Sequence, residues 1–191
     1  MQHRYFKIYK PYGYLSQFIT NERPRKKKKL LGELGDFPEE TMAVGRLDQD
    51  SEGLLFLTTN GKASAKVTGN KIEKEYYVQL DGQITPTAVE TLQTGIEISI
   101  NGKNYKTQPC KAFILKERPV FPERSKKIRD ERHGPTSWIS VTLVEGKFRQ
   151  VKKMTAAVGF PTLRLVRVRI GNEHIDNMNT GEVIELPSFS Y

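Results

Sequence analysis

The chain has 191 residues, 37% of them hydrophobic, with nine Phe and eight Tyr, enough to bury a core in one generous domain or two small ones. No window holds the roughly 18 apolar residues of a membrane helix, and the start, MQHRYFKIYK, lacks the apolar centre of a signal peptide, so a soluble, cytoplasmic protein is expected. The formal net charge of +9 is unevenly placed: residues 1–31 and 116–174 each carry a net +8 and the remainder −7, which points to a polyanion partner. Nucleic acid fits better than a membrane surface, because no Lys-rich amphipathic helix with a bulky apolar face is present. A single cysteine and three scattered histidines exclude an internal disulfide and suggest no metal cage, leaving Cys110 as a small buried or half-buried hydrophobe.

In chain order, HRYFKIYK alternates and is aromatic, predicting a strand, and PYGY predicts a turn. Arg23 to Lys29 sets six cations in seven positions, predicting a solvated loop in which Arg25, Lys26, Lys27, Lys28 and Lys29 suit contact with phosphates. Residues 45–61, GRLDQDSEGLLFLTTNG, then place Asp48, Asp50 and Glu52 at alternate positions ahead of an apolar run. With Gly53 they fill positions 1, 3, 5 and 6 of a calcium loop, but the bidentate Glu needed at position 12 is Thr59, and LLFL reads as a strand. The calcium reading fails, and a plain solvated turn is the alternative. Against it, the apolar segments MAV and LLFL on either side anchor the carboxylates to a scaffold.

GKASAKVT predicts a short helix, KEYYVQLDG a strand, and TPTAVETLQTG a helix with Pro near its first turn and Gly just past its end. Strand-like pieces follow at EISI and around NYKTQPCKAFIL, then a long charged loop, KERPVFPERSKKIRDERHG. TSWISVTLVEG alternates as a strand. FRQVKKMTAAVG predicts a helix with Phe148, Val151, Thr155 and Val158 on one face and Arg149, Lys152, Lys153 and Ala156 on the other. FPTLRLVRVRIG predicts a half-buried strand with Arg164, Arg167 and Arg169 as a basic outward row. Strands with interspersed helices and long antiparallel connections make the class α+β.

Four blocks in this order carry a resemblance: KPYGYLSQF, GRLDQDSEGLLFLTTNG, KEYYVQLDG and EGKFRQVKKMTAAVGFPTLRLVRVRIG. The sequence resembles the pseudouridine synthases of the RsuA branch, which modify ribosomal RNA, and is most similar to the E-type enzymes of 23S ribosomal RNA. The resemblance implies a mixed, mostly antiparallel bent sheet in two subdomains with a basic cleft, spanning residues 1–191, with no S4 RNA-binding domain. It implies Asp48 as the catalytic carboxylate, Tyr76 stacked on the target base, and Lys152 paired with Asp48. Arg46 would line the cleft and contact RNA, and Leu165 would pack beneath the aromatic ring; Arg149 and Lys153 add cations for RNA. No cofactor and no metal are implied, and the expected partner is large-subunit ribosomal RNA, bound by a monomer.

The implied reaction breaks the C1′–N1 bond of uridine and joins C5 to C1′, with no change of oxidation state. A carboxylate can stabilise an oxocarbenium-like ribosyl, attack it covalently, or remove a sugar proton to give a glycal. Each requires an ionised carboxylate, which a neighbouring Lys152 favours. Uracil leaves as a resonance-stabilised anion, so one carboxylate can suffice where glycoside hydrolases use two. Asp50, Ser51 and Glu52 are therefore expected to shape the turn and cap backbone amides. Extruding the base costs roughly a few kcal/mol, to be offset by the basic loop, the segment Arg124 to Arg132 and the row on the last long strand. A non-catalytic RNA-binding or ribosome assembly factor, and a pseudouridine synthase for another RNA, are the rival readings.

Overall fold

Alternating apolar residues build most of the molecule as one sheet, described in a computed structural model for residues 2–20, 28–69 and 71–191. In chain order the elements are β1 (Tyr5–Lys10), β2 (Met42–Val44), β3 (Glu52–Thr58), α1 (Gly61–Thr68), β4 (Lys74–Asp81), α2 (Pro86–Thr94), β5 (Glu97–Ile100), β6 (Lys103–Lys106), β7 (Lys111–Ile114), β8 (Thr136–Leu143), α3 (Gln150–Ala157), β9 (Thr162–Ile170), β10 (Glu173–His174) and β11 (Val183–Leu186). The expected helices stop where their caps say: Asn60 accepts from the amides of Lys62 and Ala63 ahead of α1, and Thr85 caps α2, which ends at Gly95.

The main sheet runs β11, β1, β3, β9, β4, β8, β7, with β2 added to β3 and β10 to β9; β5 and β6 form a separate hairpin. Among the described residues its ladders are antiparallel except one. That exception joins the two halves: β3 and β9 run parallel, with Glu52 opposite Val166 and Gly53 opposite Arg167. β3 is buried along its whole length. Leu54 and Phe56 enter a cluster with Tyr9, Val166 and Phe189, while Leu55 and Leu57 face Phe6, Ile8 and Leu31. A third cluster fills the space between the sheet and helices α2 and α3, including Val78, Leu92, Ile139, Met154 and Leu165. Tyr76 packs against this cluster and against that of Phe6 and Leu31. Cys110 is half-buried beside α2, its thiol donating to the Leu92 carbonyl at 3.2 Å.

Two expectations for surface patterning are overturned. β9 is a central strand covered on both faces, so its arginines are used internally instead of forming an outward row. Arg164 pairs with Glu52, Arg167 is buried with Nε donating to the Leu54 carbonyl at 2.7 Å, and Arg169 is paired with Glu73 and Glu75. Phe148 does not join the buried face of α3, because the helix begins at Gln150 after Arg149 takes a left-handed φ of 53°. The short strands β2, β10 and β11 are not read as strands from the sequence; β2 and β10, of three and two residues, carry too little periodicity.

Candidate active site

The stretch 45–51 reaches the sheet seam as a turn held from both sides. Gly13 N donates to Gln49 O at 2.7 Å, Ser16 Oγ donates to Leu47 O at 2.7 Å, and Leu47 N donates back to Ser16 Oγ at 2.9 Å. Leu47 itself is buried in the core. The loop 11–17 thus clamps the backbone immediately before Asp48. Lys29 ties the end of the basic run to this loop, its carbonyl accepting from Leu15 N at 3.0 Å and its ammonium lying 5.4 Å from the Tyr14 ring centroid.

Helix α3 supplies the opposing charge. Lys152 Nζ lies 3.2 Å from Asp48 Oδ2, 2.5 Å from Asp50 Oδ1 and 2.8 Å from Ser51 Oγ. Arg149 Nη1 lies 3.5 Å from Asp48 Oδ2, and its two terminal nitrogens each reach Asp50 at 3.2 Å. Both cations meet Asp48 through the same oxygen; among the described residues Oδ1 takes no hydrogen bond. Burial raises the Asp50 carboxyl, but the hydrogen bonds from Lys152 and Arg149 outweigh it and hold the group below the ordinary carboxylate range.

Arg46, Asp48, Tyr76, Lys152 and Leu165 line one small cavity. A wider one of about 590 Å³ opens beside it, walled by Ser16, Arg46, Asp48, Lys147, Phe148 and Arg149. The structure therefore brings together Arg46, Asp48, Tyr76, Arg149, Lys152 and Leu165. Lys153 is not among them: its ammonium donates to the Ser99 carbonyl at 2.7 Å, one helical step round from Lys152. Arg25, Lys26 and Lys27 lie outside the described residues.

Among the described residues the rest of the turn takes side-chain cations and not the backbone amides expected for it. Asp50 shares Lys152 and Arg149, and the hydroxyl of Ser51 accepts from Lys152. Glu52, only 2% exposed, accepts from Arg164 through both carboxylate oxygens at 3.0 and 2.8 Å. The charge density that resembled a metal loop is met by the protein's own cations. Removing one partner of such a buried pair costs about 3–5 kcal/mol. Glu52→Ala should therefore lower stability in urea unfolding by that amount, and the double variant Glu52→Leu with Arg164→Met should recover most of it.

Sequence reasoning missed two buried supports. Lys10 is fully buried below the turn, with Nζ donating to Pro11 O at 2.9 Å and Tyr14 O at 2.8 Å. Burial pulls its ammonium down to about 7, against the pull of Glu52, Asp48 and Asp50. Glu145, also buried, accepts from the Tyr105 hydroxyl, from Gln150 Nε2 at 2.5 Å and from Gln108 N at 2.9 Å, fixing the loop that carries Arg149. The only signal for Lys10 was a lysine standing directly before the Pro-Tyr-Gly turn.

Residues 4–157 match the RNA pseudouridylate synthase family. The chain is 42% identical over 185 residues to the ribosomal large subunit pseudouridine synthase E of Vibrio vulnificus, covering 94% of this chain and 74% of that protein. It is 40% identical over 169 residues to the protein of that name in Xanthomonas axonopodis pv. citri, covering 87% of this chain and 85% of that protein. A crystal structure of a pseudouridylate synthase superposes with a TM-score of 0.75 at 27% identity, covering 97% of this chain and 70% of that one. The chain belongs to the RNA pseudouridylate synthase family, enzymes that isomerise uridine in RNA to pseudouridine.

Proposed function

We propose that this enzyme converts one uridine of large-subunit, 23S ribosomal RNA to pseudouridine, with Asp48 acting on the ribosyl C1′–C2′ region of a base flipped out of its stack. The carrying observation is a carboxylate on a clamped turn, flanked by Lys152 and Arg149, in one cavity with Tyr76 and Leu165. The flipped uracil stacks on Tyr76, which packs against the cluster that includes Leu165. Lys152 and Arg149 pair with Asp48 through Oδ2 and hold its carboxylate at the cleft. Arg46, exposed at the rim, contacts the RNA and helps hold the extruded nucleotide. The active species is a monomer, and the cytoplasm is its location; no described helix is long and apolar enough to cross a membrane.

Tritium release from a 23S transcript made with 5-³H-uridine tests the reading. Release from 23S RNA, and none from a 16S transcript, is expected; the reverse would overturn the target. Arg25 to Lys29 are proposed as phosphate contacts. Replacing Lys26 to Lys29 by Ala should weaken RNA binding and flatten its dependence on salt by about 0.7–0.9 in log–log slope for each phosphate no longer neutralised. An unchanged slope would remove the run from the interface.

A further inference from the structure

Phe148 is 62% exposed, a large ring left in water where the fold could have turned it inward. It stands on the wall of the 590 Å³ cavity, among Ser16, Gln17, Arg46, Lys147 and Arg149. The wall also holds Leu15, half-buried, and Leu47, buried, but its other side chains are polar or charged, so the exposed ring is not part of a broad apolar patch of the kind that docks another protein. The ring is also held in place. Lys153 Nζ lies 5.2 Å from its centroid and is itself fixed on the Ser99 carbonyl. The next residue, Arg149, touches Asp48, and adjacent Cα atoms are about 3.8 Å apart. An isolated, preset aromatic surface thus lies one residue from the carboxylate's own partner, in a cationic wall.

We propose that Phe148 is a stacking platform for a second base of the substrate RNA, the neighbour of the uridine that enters the Asp48 cavity. This rests on the reading of that cavity as the uridine site. Extruding one base breaks the stack on both sides of it, and a flat ring at the lip gives the neighbour a replacement face. The cations beside it hold the backbone of the same two nucleotides.

The test uses the full chain and a full-length 23S transcript labelled with 5-³H-uridine. Base stacking on an aromatic ring is worth roughly 1–3 kcal/mol, so Phe148→Ala should raise KM about 5- to 150-fold. Phe148→Trp should restore the wild-type value. Phe148→Leu, which keeps apolar bulk without a π face, should behave like Phe148→Ala. The thermal midpoint of all three should match the wild type, and the salt slope of RNA binding should be unchanged in Phe148→Ala, since the ring neutralises no phosphate. An unaltered KM in Phe148→Ala, a fully active Phe148→Leu, or a flattened salt slope would each overturn the platform. Wild-type tritium release is the control: without it the uridine-site reading fails, and with it an unaltered KM removes Phe148 alone.

Discussion

Replacing Asp48 by Asn should abolish tritium release, by at least about 10³-fold, while leaving RNA binding nearly intact. The amide keeps the shape of the carboxylate but carries no charge to stabilise a cationic ribosyl and has no nucleophilic or basic oxygen. The surroundings survive the change, because Lys152 and Arg149 retain Asp50, at 2.5 and 3.2 Å. Loss of folding is therefore not the cause, and a circular dichroism melt close to wild type checks it. The informative companion is Asp50→Asn. Asp50 accepts more of the hydrogen bonds from the two cations, so its loss frees them and lowers activity by less than the loss of Asp48. Equal loss in the two variants would mean that the carboxylates act as one unit, and full activity in Asp48→Asn would end the assignment.

The second large effect concerns the seam. Gly53→Ala should lower stability by about 3 kcal/mol or more, read as a urea midpoint shift, or as roughly 6–12 °C in the melt for a chain of this size. A Cβ at this position would stand 2.4 Å from Arg167 O, 2.8 Å from Arg167 N and 2.9 Å from Val166 Cγ1, and φ is already +104°. Two of those three atoms are backbone, so relief requires β3 and β9 to part. Gly61→Ala is the control, since a Cβ there meets nothing within 4 Å and the residue opens helix α1. It should be neutral or slightly stabilising. A Gly53→Ala protein as stable as wild type would show that the seam yields freely.

What could be read without the structure follows the range of the forces involved. Helix α2 is local in origin: Pro86 starts it, Gly95 ends it, and its apolar spacing lies within one segment. Asp48, Tyr76 and Lys152 were legible through motifs, and the structure gathers them into one cavity. Arg164, Arg167 and Arg169 were misread because strict alternation does not say whether the second face meets water or another layer of protein. Lys153 was grouped with Lys152 on one broad face, although adjacent helical residues point about 100° apart, and its ammonium turns to the Ser99 carbonyl. Glu145 was invisible because its phenol partner, Tyr105, is distant in sequence and carries no pattern of its own.

The parallel seam also orders the events of synthesis. Asp48 is made before the cations that flank it, residues 149 and 152, before the seam strand, which ends at Ile170, and before β11, which closes β1. The strands beside the aspartate thus come from segments far apart in sequence, with β4 to β8 made between them. A nascent chain that stops before residue 149 holds Asp48 without the cations that flank it, and so cannot assemble this site.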